Sequence, residues 1–456
     1  MYFNQNKNSF ISNVTGIIIV CISFIPLYNR YLTHQRVNRY DLNFTTLLIE
    51  YLLVIILVII FFSRKPFKTE SIFEKRISWL SKILVLYVSL SFVSCLFSKD
   101  VSRSLSLFAF GMIGPLFLYL IIVYRTSANF FNLNLLIRSF WISNILFLII
   151  AYLFAFRYGF SSDLLEVRSG KNIYGSNSVI GSICFLLPII FVKNQYLPKL
   201  KSANVILSLF GIISIIWVII SLSRWGYATL FITYFLISIL INKSLSIKKI
   251  VIALILFILI MILVPRLNDL IIHRFTGNTS NISMESVYDN TSKEGRFVRW
   301  ANAYSIMDNN LLLGIGLGNN YLVDPFKSPD AHNLFINLLL EQGLLIFLSF
   351  IAIFVALYKL VKSISKHYCN NKLKYLAISL GIGIFVFHFW SLTGGSHIQA
   401  AGIISAVKNY YFFISMGLLV YISRLLGKLN KIQESKTIEI SGHQLTGFQI
   451  THHQKI

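Results

Sequence analysis

Leu53-Val-Ile-Ile-Leu-Val-Ile-Ile-Phe-Phe62 contains no polar residue, and that decides the fold class. A strand of a membrane barrel alternates lipid-facing and lumen-facing residues, so a run without alternation excludes a barrel. Lipid offers no hydrogen bonds, so a backbone crossing it must pair with itself, as a helix of about twenty residues does. Residues 43–62 supply that length. Comparable stretches lie at 10–28, 79–97, 105–124, 134–156, 174–192, 203–222, 226–242, 247–265, 333–358, 374–392 and 404–423, about twelve spans by the same criterion. The chain of 456 residues is 56% hydrophobic and 13% charged, with a mean hydropathy of +0.70. The expected fold is an all-α polytopic membrane protein with one long extracytoplasmic loop. Residues 1–265 hold transmembrane helices 1–9, residues 333–432 hold helices 10–12, and 433–456 form a polar cytoplasmic tail.

The formal net charge of +24 would suit nucleic acid or an acidic ligand, but in a membrane protein Lys and Arg gather in cytoplasmic loops. With a cytoplasmic N-terminus, the loops after even-numbered spans carry Arg64, Lys65, Lys68, Arg125, Lys193, Lys199, Lys243, Lys248, Lys359, Lys362 and Lys366. The opposite loops hold fewer lysines, and acidic neighbours accompany their arginines, as with Asp163, Glu166 and Arg168. Both termini are therefore expected in the cytoplasm, no nucleic-acid partner is expected, and the longest loop is expected outside. Cys21, Cys95, Cys184 and Cys369 have neither metal-ligand nor disulfide spacing.

That longest loop, 266–332, holds Arg266, His273, Arg274, Arg296, Arg299 and His332 and is expected to carry the active site. Thr291-Ser-Lys-Glu294 has the form of a capping box that opens a short helix. On that helix Arg296, Arg299 and Trp300 fall at i, i+3 and i+4 and share one face. A guanidinium fork matches phosphate oxygens, so Arg296 reads as a ligand for an anionic substrate; for Arg299, contact with lipid headgroups is an equal alternative. Phe297, Ala301 and Tyr304 form an apolar strip suited to the membrane surface. Gly314-Ile-Gly-Leu-Gly318 lacks the spacing of a nucleotide fingerprint and reads as a tight turn. His332-Asn333 opens the next helix, whose dipole disfavours an imidazolium. His332 is thus a candidate general base, with a helix-capping histidine as the alternative. Arg224, at the outer end of two closely joined spans, needs a partner or an aqueous cavity, as do Glu50 and Arg138 within spans. His388 and His397 are weaker candidates. Asp308, Asp324 and Asp330 are scattered around turns, so neither a metal nor a cofactor is expected. An outer site has no ATP, so the energy for bond formation must arrive in the substrate.

This pattern resembles the O-antigen ligase and O-antigen polymerase superfamily of bacterial inner-membrane glycan enzymes, most specifically from Ile219 to Gly343. The residues that carry the resemblance are Ser221-Leu-Ser-Arg224, Gly295-Arg-Phe-Val-Arg-Trp300, and Gly314-Ile-Gly-Leu-Gly318 followed by Ala331-His-Asn333. The ligase pattern is a His, then Asn, Ser or Gln, then nine residues, then Gly; His332-Asn333 and Gly343 meet it, and Ile346 departs from the Gly, Thr or Tyr that usually follows. The resemblance implies a GT-C-like glycosyltransferase that needs no metal, in the inner membrane, with a periplasmic site. The donor would be a glycan on undecaprenyl diphosphate and the acceptor lipid A-core or another glycan. Arg224 and Arg296 would bind the diphosphate and His332 would take the acceptor proton, with Arg299, Trp300, Arg266 and Asn333 lining the substrate. The function implied is O-antigen ligase in lipopolysaccharide biosynthesis; repeat-unit polymerase is the alternative, and a lipid-linked glycan flippase or transporter stands third.

Overall fold

The structure, a computed structural model, describes residues 3–24, 44–63, 66, 71–159, 176–196, 201–220, 224–242, 296–307, 310–319, 333–366, 370–394 and 403–450. Its regular elements are helices: α1 (Phe3–Ile22), α2 (Phe44–Phe62), α3 (Glu74–Leu96), α4 (Val101–Arg125), α5 (Phe130–Gly159) and α6 (Ser176–Tyr196). They continue with α7 (Lys201–Ile220), α8 (Arg224–Ile237), α9 (Arg296–Met307), α10 (Leu334–Lys366), α11 (Asn371–Gly394) and α12 (Ile403–Ile450). Among the described residues six helices are long and apolar enough to cross a membrane, and five more are shorter apolar helices. These fall on the expected spans, except that 247–265 lies outside the described residues and α12 runs past 423 to Ile450. Ile55, Ile59, Phe131, Leu209 and Phe231 stand exposed on the outside of the bundle. That much apolar surface suits lipid and not water.

Polar devices hold the helices where lipid gives no hydrophobic drive to associate. Two π-turns interrupt α4, at Ala109–Ile113 and Ile121–Arg125. A π-turn frees backbone carbonyls from the helical ladder, and α12 takes one from each. Asn409 Nδ2 donates to the Gly111 carbonyl at 3.0 Å, and Arg424 Nη1 donates to the Val123 carbonyl. In α6, Pro188 cannot donate to the Cys184 carbonyl, four residues back. Gly383 of α11 lies against that carbonyl; a Cβ there would stand 3.2 Å from its oxygen, so a larger residue would push the two helices apart.

The two ends of the bundle differ chemically. One end gathers Glu74, Arg76, Lys359 and Arg424: Arg424 pairs with Glu74 at 2.6 Å, Arg76 Nη1 donates to the Lys359 carbonyl at 3.1 Å, and Lys359 lies over the Trp79 ring. The other end carries α9 and the glycine-rich turn, reached by Ser94 of α3. From Arg76 to Ser94 is about 27 Å at 1.5 Å per residue, close to the thickness of a hydrocarbon core. Arg138 lies exposed two turns into α5, where a long side chain reaches the interface. The side chain of Glu50 lies outside the described residues.

Candidate active site

The described part of the long loop is α9 and the turns of 310–319. Trp300, Ala303, Ile306 and Met307 of α9 pack with Ile336, Leu339 and Leu340 of α10 and with Ile315 of the turn. Positions 300, 303 and 307 follow one another at helical spacings of three and four and form the stripe that α9 presents to α10; in the sequence Arg296 lies four positions before Trp300 and Arg299 four before Ala303. Ala301 and Tyr304, two of the three residues of the apolar strip, are exposed. For Arg224, Arg296 and Arg299 only the backbone is described, each in the first turn of its helix. Arg266 and His332 lie outside the described residues, as do Asp324, Asp330 and His397.

Asn333 is the N-cap of α10. Its Oδ1 accepts the backbone N–H of Phe335 at 2.9 Å and of Ile336 at 3.3 Å, satisfying two of the donors that a helix start leaves open. The cap is therefore made by Asn333, and the preceding residue, His332, is not needed for it. His388 instead belongs to the core, its Nδ1 2.6 Å from the Ile384 carbonyl and its ring against Phe354, Phe387 and Phe412.

Three turns into α10 the helix breaks. Gly343 has φ 82° and ψ 179°, a conformation essentially restricted to glycine. The glycine-rich turn docks into this break. Ile315 N–H donates to the Leu340 carbonyl at 3.0 Å, Gly316 N–H to Glu341 at 2.8 Å, and Leu344 N–H to Leu311 at 2.8 Å. Gly314 and Gly343 clasp each other: a Cβ on either would overlap the backbone of the opposing segment. The Glu341 carboxylate, 2% exposed, accepts the Gly318 N–H at 3.3 Å.

The other side of the turn rests on the corner between α3 and α4. Ser94 Oγ donates to the Leu313 carbonyl at 2.6 Å and Ser104 Oγ to Leu317 at 2.9 Å. Arg103 Nε donates to Gly318 at 3.0 Å, and Ser91 Oγ donates to Gln342 Oε1 at 3.0 Å. Asp100 caps α4 and so sets the direction of Arg103. The result is a rigid platform under the first turns of α10 and under α9. Ser94→Ala is expected to cost about 1 kcal/mol, the usual net worth of a hydrogen bond whose partner stays buried; thermal unfolding in detergent reads it, and an unchanged midpoint would remove Ser94 from the platform.

The sequence indicated the turn and the register of α9, but not Glu341, Gln342 or the α3–α4 corner. Ile346, where the ligase pattern is not followed, is fully buried in the bundle core, so the departure falls on packing. Comparison with curated proteins gives no match. The family model that does match is that of the O-antigen ligase, over residues 209–351, a segment that takes in α8, α9, the glycine-rich turn and the break in α10. That match covers 143 of the 456 residues, and over that segment the chain is similar to the O-antigen ligase family.

Proposed function

We infer that this membrane protein transfers a glycan from undecaprenyl diphosphate to a sugar hydroxyl, as an O-antigen ligase that completes lipopolysaccharide on lipid A-core. The site is the 266–332 loop, periplasmic, with both termini in the cytoplasm and the chain in the inner membrane. The observation that supports this reading is the packing of α9, whose first turn holds Arg296, on the first turns of α10.

In the reaction, the acceptor oxygen attacks the anomeric carbon as the bond from that carbon to the phosphate oxygen breaks. The bonding pair leaves with the diphosphate, where Arg224 and Arg296 offset the growing charge. His332 takes the hydroxyl proton. Bond energy comes from the diphosphate ester itself, so the step needs no nucleotide. Arg224→Gln and Arg296→Gln are each expected to lower transfer by at least about tenfold, as a charge-assisted contact made to the leaving group should.

The test is a deletion strain whose lipopolysaccharide and lipid-linked glycans are separated by gel. Bare lipid A-core with long chains held on undecaprenyl diphosphate supports the ligase. Lipid A-core carrying a single repeat supports the polymerase. Single lipid-linked repeats retained in the cytoplasmic leaflet would overturn the transferase reading in favour of a flippase.

A further inference from the structure

Arg125 ends α4 at the close of its second π-turn. It is 7% exposed, and its Nε and Nη1 are covered and without a hydrogen-bond partner. The guanidinium lies on the face of Phe61, with Cζ 4.3 Å from the ring centroid. An arginine cannot shed its charge by losing a proton, so burial without a counter-charge is unfavourable.

The neighbouring guanidinium shows what is missing. Arg424, 4% exposed, lies over the Tyr124 ring at 4.9 Å and holds both oxygens of Glu74, at 3.2 and 2.6 Å. Arg424 takes the Glu74 carboxylate, whereas the Arg125 Nε and Nη1 have no such partner. The Glu74 side chain is 36% exposed, which marks the level where the bundle meets a polar phase. Beside Arg125, Phe61 packs edge-on with Phe62 at 5.2 Å and Phe117 at 5.5 Å. Phe62 is 70% exposed. A guanidinium at the polar boundary, backed by an aromatic face and bordered by an outward apolar ring, has the form of a headgroup seat. Phosphate oxygens match its fork of donors.

We propose that Arg125 binds the phosphate of an anionic membrane phospholipid, with Phe61 beneath the guanidinium and Phe62 against the acyl chains. On the topology inferred above, this lipid belongs to the inner leaflet, on the side away from the transfer site. The exposed apolar surround of Phe62 and Ile59 selects a lipid over a soluble anion.

The test is native mass spectrometry of the full-length protein in detergent, titrated with phosphatidylglycerol or phosphatidylcholine. The expected result is preferential retention of phosphatidylglycerol by the wild type, and about tenfold weaker retention in Arg125→Gln, equivalent to about 1.4 kcal/mol. If Arg125→Gln does not fold, Arg125→Lys serves, since it keeps the charge and loses the planar fork; it should retain the lipid several-fold less well than wild type. Equal retention by wild type and variant overturns the proposal. Displacement of the lipid by millimolar inorganic phosphate overturns it too, because the seat would then belong to a soluble anion. Glycan transfer in Arg125→Gln is expected to persist, since Arg125 lies at the end of α4 opposite the corner that holds the glycine-rich turn.

Discussion

His332→Ala is expected to lower glycan transfer by about 10²–10⁴-fold, the usual worth of a positioned general base, while the chain remains inserted and folded. The second half of that expectation rests on Asn333. Because its carboxamide oxygen already accepts the Phe335 and Ile336 N–H groups, the start of α10 does not depend on the residue before it. An alanine at 332 therefore removes the imidazole and leaves the helix capped. Transfer is measured with purified protein, lipid-linked glycan and acceptor, and folding by the unfolding midpoint in detergent. The pH dependence separates a base from a binding group. Wild-type rate should fall at acid pH as an imidazole is protonated, and the variant's residual rate should lack that limb. Activity within threefold of wild type would exclude His332 as the base.

Gly343→Ala is expected to destabilise the protein by roughly 3 kcal/mol or more, the range for strain at a glycine-only conformation combined with backbone overlap. At φ 82° an alanine is strained before any neighbour is considered. Its Cβ would also run into the Leu312 carbonyl and the Gly314 nitrogen, so the docked turn must withdraw. Withdrawal breaks the Gly316-to-Glu341 and Leu344-to-Leu311 hydrogen bonds and leaves the Glu341 carboxylate, 2% exposed, without the Gly318 N–H. The unfolding midpoint should drop clearly, and activity should fall with it because α9 rests on the same platform through Ile315. A midpoint equal to wild type would mean that α10 can run unbroken through 343. Gly381→Ala serves as the comparison: a Cβ there meets only the Val361 side chain, so its effect should be smaller.

The features legible in the sequence are those with a local cause. Unbroken apolar runs specify helices because lipid leaves the backbone no other partner, and α1 to α8 and α10 to α12 stand where those runs lie. The shared face of Arg296 and Trp300 follows from helical periodicity alone. Glycines at 314, 316 and 318 signalled a turn, and all three have positive φ. The seat of that turn was hidden because its partners are remote: Ser94 and Leu313 are 219 positions apart, Arg103 and Gly318 215. A serine on an apolar helix reads the same whether it bonds its own preceding turn or a distant carbonyl. The π-turns of α4 were equally silent, since neither Ala109-Phe-Gly-Met-Ile113 nor Ile121-Ile-Val-Tyr-Arg125 carries a residue pattern specific to a π-turn. What opens them is the pull of Asn409 and Arg424 from α12.

Those two contacts also set a timetable for assembly. Asn409 lies 298 positions after Gly111, and Arg424 lies 301 after Val123. At a synthesis rate of roughly 5–20 residues per second, α4 waits on the order of 15–60 s in the bilayer before the helix that takes its π-turn carbonyls has even been made. During that interval the nascent protein has no reason to hold the π geometry, and α4 can remain a regular helix. The π-turns of α4 are then locked only when α12 arrives, and a ribosome that stops before α12 releases a product in which they were never locked.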